Sequence, residues 1–176
     1  RSPLKRGDRR VGGPWLPDND PSKTMLGDAQ WNWLETQLRQ TADVRIIASS
    51  IQFIAEDAGQ ETWSNLPRER QKMLDLLAAT NATGVIFISG DRHWSELSSL
   101  ERESSGRLLD LTSSSFNQVH PRGTPTRNRF RELPKTYHKE NFGVINIAWE
   151  QPSPQVTLEI RDLEDEVQLS HKVRLP

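Results

Sequence analysis

The chain has 176 residues, 23 basic against 24 acidic side chains and a pI near 6.5, long enough for one domain with a real core and too evenly charged to bind a polyanion by bulk electrostatics. Nucleic acid is therefore not an expected partner. It contains no cysteine, which excludes disulfides and thiolate metal sites and leaves oxygen and imidazole as the available metal ligands. No apolar run approaches the roughly 20 residues that span a bilayer, so no membrane span is expected.

Residues 1–23, rich in Pro, Gly, Asp and Lys, read as a surface loop or connector, and residues 24–176 as the folded part of one domain. The opening "RSPLKRGDRRVGG" carries no initiator Met and no leader-like segment. It reads as a cut inside a larger protein, a trimmed N-terminus being the alternative. "LGDAQWNWLETQLRQT" places Trp31, Leu34 and Leu38 on one helical face, with Asp28 as the expected N-cap. "VRIIASSIQFI", from Val44, is β-branched and reads as a buried strand. A second helix has Pro67 in its first turn, Met73, Leu74 and Leu77 inward, and an end near Asn81 to Gly84. "GVIFISG" follows, giving a strand–helix–strand order that predicts a parallel pair. Beyond His93, "RLLDLTSS", "GVINIAWE", "QVTLEIRD" and "EVQLSHKVRL" read as antiparallel strands. Between the first two lies a long basic segment without periodicity, and loops of that length are commonly functional.

The stretch "VIFISGDRHWSEL" carries the chemistry. A buried strand stops at Ser89-Gly90 and opens at once into Asp91, Arg92 and His93. In an extended segment, side chains two apart share a side, so Asp91 and His93 would reach one centre. A carboxylate with a neutral imidazole is half of a shell for a divalent or trivalent metal, and Arg92 offers a forked donor to an anion. The tamer alternative is an Asp–His pair that merely closes a strand end. Gln30, Trp31 and Trp33 read as helix–sheet packing rather than as a binding box. His120 and His138 flank or lie in the basic loop, where they could reach a phosphate or stay solvated. Arg122, Arg127, Arg129 and Arg131 line an entrance or face water. His171 reads as structural, and Asn141 has no chemical role that the sequence yields.

The pieces "MLGDAQWNWLETQL", "IIASSIQF", "ETWSNLPRERQKML", "VIFISGDRHWSEL" and "NFGVINIAW", in this order and spacing, resemble the C-terminal part of the PhoD-like (alkaline phosphatase D) metallophosphoesterases. The resemblance covers almost the whole chain. It implies an α/β fold: the C-terminal part of a calcineurin-like β-sandwich flanked by helices, with antiparallel strands at the C-terminus. It also implies a bimetal centre that hydrolyses phosphate mono- or diesters with metal-activated hydroxide. Asp91 and His93 inherit the metal-ligand role, Asp91 standing where the superfamily's Gly-His-x-His motif has its first His. Ca, Fe, Mn and Zn are not distinguished. Where other members carry a His at the end of the preceding strand, this chain has Ser49-Ser50-Ile51-Gln52. The family's earlier ligand motifs have no counterpart here, so the expected partner is the N-terminal half of the same enzyme, and the chain alone is expected to be inactive. Family habit suggests a secreted or periplasmic location. The rival readings are a phospholipase-D-like phosphodiesterase and a non-catalytic β-rich module for binding or assembly.

Overall fold

A computed structural model of the chain describes residues 1–10, 13–56, 59–103, 106–120, 126–149 and 153–175, with Arg9 and Arg10 described by their main chain alone. Two strands open it, β1 (Lys5–Arg10) and β2 (Gly13–Leu16), an antiparallel hairpin whose register shifts between Arg6 and Arg10. The sequence expectation of a loop through residues 1–23 is corrected here. "KRGDRR" has no apolar phase to betray a strand, and the ribbon is steadied by the Arg6 guanidinium over the Trp15 ring at 5.0 Å and the Trp15 amide on the Gly59 carbonyl at 3.3 Å.

Helix α1 (Asp28–Leu38) buries Trp31, Leu34 and Leu38, as the periodicity requires. Its N-cap is Gly27 rather than Asp28, which stands one residue inside the first turn and faces the helix dipole instead of capping it. Helix α2 (Pro67–Ala79) buries Met73, Leu74 and Leu77 and follows a 3-10 turn at Trp63–Asn65. The helices are joined by Glu69, whose Oε2 accepts from the Trp31 indole at 3.0 Å, the Met25 amide at 2.6 Å and the Thr24 hydroxyl at 2.8 Å. The chain leaves α2 through Gly84, at φ +65, where any Cβ would sit 2.1 Å from the Asp43 carbonyl oxygen.

The helices cover a four-stranded sheet ordered β3 (Arg45–Ala48), β4 (Val85–Ser89), β6 (Leu108–Thr112), β5 (Glu96–Leu100). β3, β4 and β6 run parallel, and β5 is antiparallel to β6. Two expectations change. β3 is a four-residue edge strand with Ile46 half exposed, and the apolar residues after it, from Ile51 to Ala55, are buried in a non-strand segment. "RLLDLTSS" joins the parallel sheet instead of beginning the antiparallel end. The other face of this sheet shares a core with a three-stranded antiparallel sheet, β7 (Phe142–Ala148), β8 (Gln155–Arg161) and β9 (Val167–Arg174), where Ile86, Leu97, Leu109 and Leu111 meet Val156, Leu158 and Ile160.

Period-two alternation sorts the helix-facing side into two zones. Val85, Phe87 and Leu108 are apolar and lie under the helices, with Phe53 stacked on Phe87 at 4.1 Å between ring centroids. Toward the carboxyl ends of the parallel strands the same face turns polar yet stays buried: Ser89, Asp110, Thr112, Glu96 and Ser98. Asp110 accepts from the amides of Phe53 at 2.8 Å and Ile54 at 3.0 Å and from the Ser89 hydroxyl at 2.8 Å. Gln52, wholly buried, donates to Glu96 at 2.7 Å and to Thr112 at 2.8 Å, and Arg131 closes Glu96 from the loop side at 2.7 Å.

Truncating the stacked ring is expected to be costly: Phe87→Ala should lower stability by about 3–5 kcal/mol, read from urea denaturation at unchanged slope. Burial, aided by the nearby Glu96 carboxylate and only partly offset by its three donors, pushes Asp110 from 3.8 up to about 6. The folded protein therefore holds that proton more tightly than the unfolded chain. The resulting stability is complete below pH 3.8 and is lost as pH rises through about 6. Asp110→Asn should remove this downward slope. The stability of the wild-type protein relative to the variant should then fall as pH rises from 3.8 to about 6, at up to about 1.4 kcal/mol per pH unit.

Candidate functional site

β4 ends at Ser89, Gly90 is irregular, and residues 91–94 are bends rather than extended chain. Asp91 and His93 both have positive φ, 70° and 57°; among the described residues only Asn81 and Asp165 share that conformation without being glycine. Each such residue costs roughly 1–2 kcal/mol for an L side chain, and strain held at a strand tip points toward function. The alternation argument that put Asp91 and His93 on one side does not apply, because the segment is not a strand. Asp91 is exposed and lines a cleft of about 480 Å3 between α1 and β3. His93 is partly buried and fixed through its main chain: its amide donates to the Ser114 hydroxyl at 3.0 Å, and its carbonyl accepts the His120 amide at 2.9 Å.

Arg92 points the other way. It is 4% exposed, its guanidinium lies 4.0 Å from the Trp94 ring centroid, and Nη2 donates to the Thr126 hydroxyl at 3.2 Å. The forked donor to a solvent-borne anion expected from the sequence is thus a buried group that packs Trp94 and ties in residue 126. Trp94 is a hub for the histidines: His120 meets it edge-on at 5.9 Å and His138 at a tilt at 6.0 Å. Three of the chain's four histidines gather at this tip, although His120 and His138 are legible in sequence only as loop residues. His138 is held below the usual imidazole range, first by burial and then by the His120 and Arg131 charges.

The other candidates fall on structural duties. Asn141 accepts from the hydroxyls of Ser95 at 2.6 Å and Ser113 at 3.2 Å and donates to the Lys139 carbonyl, so it locks the start of β7 to the sheet. Arg129 pairs with Glu56 and Arg131 with Glu96, both at 2.7 Å, leaving less free charge on the basic segment than its composition implies; Arg127 is exposed and Arg122 lies outside the described residues. His171 sits on β9, 3.8 Å from Glu132, and its own burial lowers its pKa. Trp31 is core, as expected, whereas Gln30 and Trp33 are exposed and line the cleft beside Asp91.

As metal donors, Asp91 and His93 fit by type and not by number. No group of three or more His, Asp or Glu side chains placed to hold an ion occurs among the described residues. Gln52, in the stretch where the resemblance leaves a ligand unmatched, commits its amide to Glu96 and Thr112 inside the protein. What the sequence does not disclose is the pair of buried carboxylates beneath the tip, Asp110 and Glu96, since acids in short strands ordinarily signal the solvent face.

Residues 11–151 match the model of the PhoD-like phosphatase family. Alkaline phosphatase D of Bacillus subtilis (strain 168) is 28% identical over 90 residues, which is 46% of this chain and 15% of that protein. The solved structure of PhoD superposes with a TM-score of 0.62 at 18% identity, covering 96% of this chain and 36% of the other. The chain thus spans about a third of the length of the solved relative, and that likeness shows the fold.

Proposed function

The chain belongs to the PhoD-like phosphatase family, and on that premise we propose that it is the C-terminal portion of a metal-dependent phosphatase or phosphodiesterase whose metal centre includes Asp91 and His93. The observation that carries this reading is the strained tip: two non-glycine residues held at positive φ in the tetrapeptide Gly90–His93, directly after a buried parallel strand. Catalytic groups of α/β proteins gather at such carboxyl ends. The same reading takes the two facing sheets as part of a calcineurin-like sandwich and the protein as one that is exported.

With two donors, the described residues leave the shell incomplete, and the remaining ligands are assigned to an N-terminal portion of the same enzyme. Metal ions, when bound, supply a polarised phosphoryl oxygen and a water that is deprotonated near neutral pH. This chain's own part is positional. Asp91 offers its carboxylate from the cleft wall. Ser114 and His120 fix the His93 backbone and so the point from which its imidazole projects. Arg92 holds Trp94 and residue 126 in place behind them.

Four variants of the metal-loaded enzyme containing this chain test the assignment. His93→Ala and Asp91→Ala should each lose bound metal and at least roughly 10- to 100-fold in activity, since even outer-sphere changes cost that much. Arg92→Ala should keep its metal while turnover and thermal stability fall together. His171→Ala should leave metal and kinetics nearly unchanged. Full metal and full activity in His93→Ala would sink the ligand reading. The 176-residue chain by itself is expected to hydrolyse no phosphate ester above background; chelator-sensitive turnover by it would overturn the assignment of the missing ligands elsewhere.

A further inference from the structure

The cleft beside Asp91 has a wall that packing does not explain. The core-facing side of α1 is satisfied by Trp31, Leu34 and Leu38, yet Trp33, on the same helix, is 58% exposed and has no aromatic or cationic ring partner among the described residues. Single exposed apolar side chains are ordinary on a protein surface, so the exposure of Trp33 gains meaning only from what it borders. Trp33 borders a concavity of about 480 Å3, within the range of about 300–1,000 Å3 typical of small-molecule sites. Its lining has the make-up of such a site. Leu26, Ile47 and Ile51 give apolar surface, and Arg1, Gln30, Ser49, Ser50 and Asp91 supply its polar groups. Ser49 is itself fixed there, donating to the Ile51 carbonyl at 2.6 Å and accepting the Trp63 indole at 3.0 Å.

We propose that this cleft receives the organic group of the phosphate ester, and that Trp33 is its specificity-determining residue, favouring an aromatic or compact apolar alcohol stacked on the indole. The inference rests on the phosphoesterase reading, because it is the assigned role of Asp91 that puts the phosphoryl group beside it. The geometry runs in one direction: anion toward Asp91 and its metal, apolar group along Leu26, Ile47 and Trp33. Aromatic stacking on an exposed indole is worth a few-fold to about tenfold in affinity.

Benzylphosphonate and methylphosphonate, which have no ester bond to break, are the probes for binding, and benzyl phosphate and methyl phosphate, which release alcohols of comparable acidity, are the probes for turnover. In the metal-loaded enzyme containing this chain, benzylphosphonate should shift the Trp33 indole N–H resonance saturably and bind at least about fivefold more tightly than methylphosphonate. Trp33→Ala should abolish that preference, Trp33→Phe should keep most of it, and Trp149→Ala, exposed elsewhere, should change nothing. In the metal-loaded enzyme, Trp33→Ala should lower kcat/KM for benzyl phosphate and leave methyl phosphate turnover untouched. Equal binding of the two phosphonates, or a longer protein in which acrylamide no longer quenches Trp33 because polypeptide fills the cleft, would overturn the subsite. Hydrolysis of both esters without discrimination sinks the subsite and spares the phosphoesterase. Binding with discrimination but no hydrolysis of either monoester, or of dibenzyl and dimethyl phosphate as diesters, supports the cleft and removes the phosphoesterase reading.

Discussion

Two carboxylates, Asp110 and Glu96, are buried at the carboxyl ends of the parallel strands, and the surrounding structure is arranged to satisfy them. An unpaired buried carboxylate costs several kcal/mol, so each must collect donors from whatever chain passes near. Asp110 collects the amides of Phe53 and Ile54, which fixes the turn taken after β3. Glu96 collects Gln52 and Arg131, which draws the basic segment onto the sheet. Two stretches distant in sequence, residues 52–54 and Arg131, are thereby pinned around the tip that carries Asp91 and His93. Removing Glu96 would release chain from both.

The same constraint explains why the sheet is legible at one end and not at the other. Val85 to Ser89 reads as a strand because its apolar residues are continuous, as befits a strand covered on both faces. "ELSSL" does not, since a glutamate and two serines in five residues look like solvent-facing chain; in the structure Glu96, Leu97 and Ser98 are all buried and hydrogen bonds replace apolar contact. The helices are legible from Trp31, Leu34, Leu38 and Met73, Leu74, Leu77 because a helix shows its core face by period alone. The hairpin at the start is not, because neither of its strands has a buried face to print in the sequence.

The tip is legible for a sound reason, but spacing alone misplaces its side chains. Costly residues after a buried strand do mark a strained tip, whereas the step from spacing to shared orientation assumes extended chain. Two left-handed residues bracketing Arg92 break that alternation and send the guanidinium inward onto Trp94. Backbone conformations of this kind leave no periodic trace, so Arg92 looks like an anion donor in sequence and is a packing group in space. The histidines show the converse. His120 and His138, separated by 18 positions in an aperiodic stretch, converge on Trp94 through tertiary contact alone.

Charge and position together limit what this tip does unaided. Arg129 and Arg131 are committed to Glu56 and Glu96, and Gln52 to Glu96 and Thr112, so the polar groups nearest the tip are already paired within the fold. Asp91 is the carboxylate that opens on the cleft, and a single charge of that kind holds a cation loosely in water. On the proposed reading, tight binding needs further donors brought to the same point from outside this set, and β3, an edge strand paired on one side by β4 among the described residues, leaves a sheet edge open to such chain. If the site is divided as proposed, it carries a dependency, since neither the donors here nor those supplied elsewhere would bind the metal strongly until both are in place.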